Sequence, residues 1–185
     1  KSGTIDCFDG IAGAYGKRVV VLEKAFTDDD KYDGKPANMR RVCEGVAKES
    51  DLGADEKTKF QALCDSRTKD LAAKAAVDDA ARELTTNLLP KIEGNYKPSL
   101  ETRNVLGMTT TAIKKDGENC LESLKIVQDG RKLADTDKLQ IHINYKDVDM
   151  TVGDARKACQ WGLDNLETYG KVIKEVRAAD AAKTI

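Results

Sequence analysis

The residues able to do chemistry in this chain are few and scattered. Cysteines stand at Cys7, Cys43, Cys64, Cys120 and Cys159, and His142 is the only histidine. No two cysteines form a C-x-x-C pair, so soft ligands do not cluster at the spacing a zinc site requires. One histidine without clustered partners also leaves no base to activate a hydrolytic nucleophile; in "QIHIN" it reads as a helix-surface or boundary residue. The glycines of "GIAGAYG" (10–16) fit neither G-x-x-x-x-G-K-[ST] nor G-x-G-x-x-G, the spacings that let backbone amides cradle phosphate. The pairs Asp78–Asp79 and Asp135–Asp137 lack the Glu-x-x-His pattern of a di-iron bundle. In "TDDDKYDGKP" (27–36), a calcium-loop register from Asp29 puts Lys31 at the third position and Arg40 at the twelfth. The register from Asp28 puts Asp33 where glycine belongs. That segment reads as a solvated turn. The expectation is a protein without catalytic residues, metal or cofactor, acting through its surface.

Composition agrees with that class. The 31 basic and 32 acidic residues leave a net charge of −1, which gives no footprint for nucleic acid or an anionic membrane. The 185 residues suit one domain with an appended segment, long enough to bury a core without metals. Aromatics are only 5%, so apolar surface must be gathered into narrow stripes, with alanine allowing close helix approach. That is a helical-bundle composition. No apolar run nears the roughly 18–20 residues of a membrane span. The opening "KSGTIDC" has neither Met nor an apolar segment, as expected of a chain that has lost a leader or of a trimmed piece. No Asn-x-Ser/Thr acceptor occurs.

The elements that must position the cysteines are helical by spacing. Ile11, Tyr15, Val19 and Leu22 make a helical stripe over residues 1–26, against a competing strand at the valines. After the acidic turn, "NMRRVCEGVAKES" is a short helix. A strong helix follows from Asp51 or Asp55, with Ala73, Val77, Ala80, Leu84, Leu88 and Ile92 on one face, Pro90 near its end and Gly94 to stop it. A second pattern runs from Ser99, as a cap, to Ile113, weakened by three threonines. "ENCLESLKIVQDGRKLA" places Cys120, Leu124 and Val127 on one face. Ile141, Tyr145, Val148, Val152, Ala155, Cys159, Gly162, Leu166, Tyr169, Ile173 and Val176 then follow steps of four and three. A strand over "IHINYKDVDM" is the lesser alternative, and no internal repeat is evident. Cys120 and Cys159 both lie on inward stripes, where they are either a disulfide or two buried thiols. Disulfides are favoured because each cysteine borders or sits on a helix, and closing loops of roughly 20–40 residues contributes about 3–4 kcal/mol each. Trp161, about 200° around the helix from Cys159, is expected to pack on another element, such as the N-terminal segment.

Three stretches carry a family resemblance. "ALCDSRTKDLAAKAAVDDAARELTTNLLPKI", "ENCLESLKIV" and "TVGDARKACQWGL" resemble the second cysteine with its following helix, the third-cysteine helix and the fourth-cysteine segment of the plant invertase and pectin methylesterase inhibitors. The likeness covers residues 43–176. It implies a secreted four-helix up-and-down bundle carrying a helical hairpin, and it implies the pairings Cys43–Cys64 and Cys120–Cys159. The interval between Cys43 and Cys64 is about double the family's, and Cys7 is additional. Where invertase inhibitors present Pro-Lys-Phe to the enzyme, this chain has "INYKDVD", with Lys146 alone matching the lysine. The expectation is therefore an all-α, disulfide-tied bundle at 43–185 with an N-terminal helical extension at 1–42. It would be a secreted inhibitor that blocks the cleft of a carbohydrate-active enzyme through Asn144, Tyr145, Lys146 and Asp147. The alternatives are a secreted interaction or small-ligand-binding protein, and a cytosolic bundle with reduced cysteines.

Overall fold

The computed structural model describes Pro36, Arg40, Arg41, Cys43, Glu44 and residues 53–184. The expected helix over residues 1–26, Cys7, and all of the 1–42 extension except Pro36, Arg40 and Arg41 lie outside the described residues. The described chain is mostly helical, a disulfide-tied bundle with one two-stranded sheet. Two compact units divide it, Lys1–Ala75 and Ala76–Ile185. In the first, Cys43 is bonded to Cys64 of helix α1 (Ala54–Glu83), and both are buried, as is Phe60. Asp55 and Glu56 occupy the first turn of α1, where carboxylates complement the helix dipole.

The expected stop at Pro90 and Gly94 does not occur. Helical structure continues through α2 (Leu89–Lys91) and α3 (Lys97–Thr102), with π turns at Leu84–Leu88 and Ile92–Tyr96. A proline in a regular helix lacks its amide, and its ring strikes the carbonyl four residues back. Here the Leu89 amide donates to the Leu84 carbonyl and the Lys97 amide to the Ile92 carbonyl, each an i−5 bond. Both widened turns close immediately before a proline and displace the carbonyl its ring would meet. The sequence writes this device twice. "LTTNLLP" (84–90) and "IEGNYKP" (92–98) correspond at Leu84 and Ile92, Asn87 and Asn95, Leu88 and Tyr96, and Pro90 and Pro98.

The helices expected over 99–113 and 118–134 are also redrawn. Ser99 is no cap; it lies within α3, its hydroxyl donating to Asn95. Arg103 turns left-handed at φ 58, and the Asn104 amide bonds the Ser99 carbonyl, which ends α3. The Thr109 hydroxyl accepts from the Ala112 amide at 3.2 Å and starts α4 (Thr110–Arg131). The first threonine of the three thus serves the helix as its cap, where its competing side chain is an asset.

Two strands follow, β1 (Lys138–Ile143) and β2 (Lys146–Thr151), then α5 (Val152–Asp164) and α6 (Leu166–Ala182). Within the second unit, α4 runs back along the preceding helix, with Arg131 against Asp78 and Lys91 against Asp116. Helix α5 reverses again along α4, fixed by the Cys120–Cys159 disulfide and by Arg156 on Gln128. After the break at Asn165, α6 keeps the sense of α5 and lies beside α3, with Tyr169 against Tyr96 and Glu175 against Arg103. Leu84, Leu88, Ile92, Ile113, Leu124, Val127, Ile141 and Tyr169 form the buried centre. Trp161 packs edge-on to the Tyr169 ring and beneath the Lys97 ammonium, 5.6 Å from its centroid. Among the described residues no helix is long and apolar enough to cross a membrane.

Candidate functional site

The segment expected to meet a partner, Asn144–Asp147, is the end of a β-hairpin. Along β1, Leu139, Ile141 and Ile143 alternate with Lys138, Gln140 and His142, the period of a strand with one buried face. Leu139 and Ile141 are 6% and 0% exposed, while Lys138, Gln140 and His142 are open to solvent. The antiparallel register sets Leu139 opposite Met150, Ile141 opposite Val148, and His142 opposite Asp147. The helical stripe drawn through Ile141, Tyr145 and Val148 is therefore corrected to a strand. From Val152 onward that stripe is helical, and Val152, Ala155, Cys159, Gly162, Tyr169 and Ile173 are buried along it.

Asn144 and Tyr145 form the turn, both at positive φ (48° and 65°). Two positive values are the mark of a type I′ hairpin, whose twist matches that of the strands it joins. Asparagine adopts this conformation readily; a bulky tyrosine does not. Tyr145 is nevertheless fully exposed, and Val148 is 41% exposed. On the outer face the His142 imidazole meets the Asp147 carboxylate across the strands. Lys146 and Asp147 are exposed beside the turn.

Both ends of this hairpin are held. At the tip, Gly94 of the second π turn lies against Ile143 and Asn144, and a Cβ there would stand 3.1 Å from the Ile143 methyl. Gly94 thus permits the hairpin to rest on the helix, which is a different role from the expected helix stop. At the base, the Val152 amide donates to the Asp137 carbonyl and the Gly153 amide to the Asp135 carbonyl, both at 2.9 Å. Arg156 grips the Asp135 carboxylate with both terminal nitrogens at 2.9 and 2.8 Å, and Gln128 donates to the same carboxylate. Those bonds from Arg156, then Gln128, hold the Asp135 carboxyl below its ordinary pKa.

The four described cysteines belong to the scaffold. Cys43 is bonded to Cys64 in the first unit and Cys120 to Cys159 in the second. Among the described residues, no three His, Cys, Asp or Glu side chains gather as metal ligands. The structure adds His142, Val148 and Gly94 to the expected Asn144–Asp147 segment. The alternation of Leu139, Ile141 and Ile143 is the sequence signal for the hairpin that carries His142 and Val148, obscured because "NY" replaces the "NG" that announces a type I′ turn; no local pattern points to Gly94, which belongs to the second π turn. No protein family, curated protein or solved structure matches the chain.

Proposed function

We propose that this chain is an extracellular, non-catalytic binding protein that engages a protein partner with the tip of its hairpin. The observation that carries the reading is Tyr145: a fully exposed aromatic residue at φ 65°, where glycine is the low-cost choice. Strain of this kind collects where a side chain is needed for contact. Tyrosine supplies large amphipathic area with few rotatable bonds, the property that makes it common at binding hot spots. The clamps at Gly94 and Arg156 hold the tip in one pose, which lowers the ordering cost of binding. Two disulfides fit an oxidising compartment.

The partner class follows from the resemblance to invertase and pectin methylesterase inhibitors: a carbohydrate-active enzyme whose cleft receives Tyr145 and Lys146. The test mixes the full chain with a pectin methylesterase and with an invertase, and measures complex formation by size-exclusion chromatography together with residual activity. The expected result is a complex and inhibition with one of them, both lost in Tyr145→Gly. A complex that Tyr145→Gly leaves intact would remove the tip from the function. Absence of a complex with either enzyme would remove the carbohydrate-active target.

A further inference from the structure

The tip is one end of β2, and the length of β2 is a second surface. No described residue pairs with its outer edge. In a two-residue hairpin the closing pair exchanges both backbone bonds, and bonded pairs then recur at every second residue. With Ile143 opposite Lys146, the bonded pairs are 143–146, 141–148 and 139–150. The backbone amides of Asp147, Asp149 and Thr151 and the carbonyls of Asp147 and Asp149 therefore face away from β1; the Thr151 carbonyl is taken by the first turn of α5, which Thr151 caps. They form a free row of donors and acceptors, the template for one more strand.

We propose that β2 is the docking edge for an extended basic segment of a protein partner, which joins antiparallel as a third strand. This rests on the hairpin being the contact element and goes further by stating what the partner must look like. Asp147 and Asp149 project from the outer face of β2, and no described residue pairs with Asp149. Val148 and Met150 lie on the opposite face, Val148 exposed and Met150 half-buried. Lys146 shares the face of Val148 by its register with Ile143. Directly opposed cross-strand residues share a face and favour opposite charges. Read against β2 from Met150 back to Lys146, the incoming strand is apolar, basic, apolar, basic, acidic.

A second copy of this chain is the other obvious occupant, and its carboxylates disfavour it. Two antiparallel β2 edges can meet with matching faces only when residues of the same parity oppose one another. Centring on Val148 sets Asp147 opposite Asp149 of the copy. Centring on Asp149 or on Asp147 sets that residue against itself. Each of these three alignments places carboxylates directly opposite, which is destabilising; centring on Met150 avoids this only by drawing Val152, the first residue of α5, into the pairing. The same pair of aspartates that blunts self-association therefore selects for a basic strand.

The test titrates the full chain with the peptide acetyl-Val-Lys-Val-Lys-Glu-amide, followed by the backbone amide resonances of β2. The expected result is saturable shifts, with slowed hydrogen exchange, at Asp147, Asp149 and Thr151. Affinity should fall about threefold for each carboxylate neutralised in Asp147→Asn and Asp149→Asn, and should weaken with added salt. N-methylation of the two peptide lysine amides should abolish binding, since those amides face Asp147 and Asp149. Equal binding by the N-methylated peptide, or by a peptide with glutamate at both lysines, would overturn the proposal. So would concentration-dependent self-association that protects the same amides. Tyr145→Gly should leave peptide binding unchanged, so loss of the enzyme complex in that variant and failure of the peptide are separate results.

Discussion

At the scale of single residues, two tyrosines show opposite uses of one side chain. Tyr145 has no cover and sits at φ 65°, a conformation that costs a non-glycine residue about 1–2 kcal/mol. Tyr145→Gly should therefore raise thermal stability by about 0.5–1 kcal/mol once the extra flexibility of the unfolded chain is allowed for. A fall in stability would mean the ring makes contacts the fold depends on. Tyr169 is fully buried, its hydroxyl donating to the Tyr96 carbonyl. Burial pushes its pKa up to about 12, partly offset by the Leu100 backbone. Burial, then the hydrogen bond to Asp116, raises Tyr96 as well. A raised value means the folded chain holds the phenolic proton more tightly than the unfolded chain, whose tyrosines titrate near 10. The stability these groups confer is fully present below about pH 10 and is lost as pH climbs through about 12. Denaturant midpoints recorded from neutral to strongly alkaline pH should show that decline, and Tyr169→Phe should reduce it.

At the scale of elements, helix packing is set by small residues whose role can be checked. Gly130 of α4 lies against Val77, and a Cβ there would come within 2.3 Å of a Val77 methyl. Valine is stiff at χ1 and cannot swing away. Gly130→Ala should therefore cost about 1–3 kcal/mol by overpacking, despite alanine's better helix propensity, and adding Val77→Ala should restore most of the loss. A neutral Gly130→Ala would mean the helices separate at little cost. Much of this architecture is legible in the sequence. Leu84, Leu88 and Ile92, and Val152, Ala155, Cys159, Gly162, Tyr169 and Ile173, are spaced as buried helix faces and are buried, with Leu166 between them half-buried. Three places are not legible, each for a local reason. Pro90 and Gly94 are helix breakers by propensity, but a π turn accommodates the proline and the hairpin needs the glycine. Thr109 reads as a weak helix residue until its cap bond is seen. The same few residues carry helical spacing, at Ile141, Tyr145 and Val148, and strand alternation, at Leu139, Ile141 and Ile143; two positive φ angles decide between them. The proposed site inherits that last ambiguity: Asn144–Asp147 can be picked out as a segment, while its turn geometry and its neighbours His142 and Val148 cannot.

At the scale of the whole molecule, the two disulfides constrain separate units. Their partners are 21 and 39 residues apart. On chain entropy alone, the Cys43–Cys64 bridge contributes about 3 kcal/mol and Cys120–Cys159 about 4 kcal/mol. Replacing both cysteines of one pair by alanine should lower the denaturant midpoint, more for Cys120 and Cys159 than for the other pair. Reduction should lower it in the parent chain and have a smaller effect in each double variant. Midpoints indifferent to reductant would mean the native protein carries thiols, and the extracellular reading would fall with that result.

The repeated π turns bear on helix phase. Leu84, Leu88, Ile92, Tyr96 and Leu100 are each four residues apart. On a regular helix a four-residue step overshoots one turn by about 40°, so the stripe would drift by about 160° from first to last. A π turn uses an extra residue for its rotation and pulls the stripe back. Pro90 and Pro98, with their widened turns, act as phase correctors that keep a four-residue rhythm facing one core. Gly94, inside the second corrector, is held in register with the hairpin resting on it. The angular setting of a helix and the placement of an exposed tyrosine are thereby joined through a single turn of backbone.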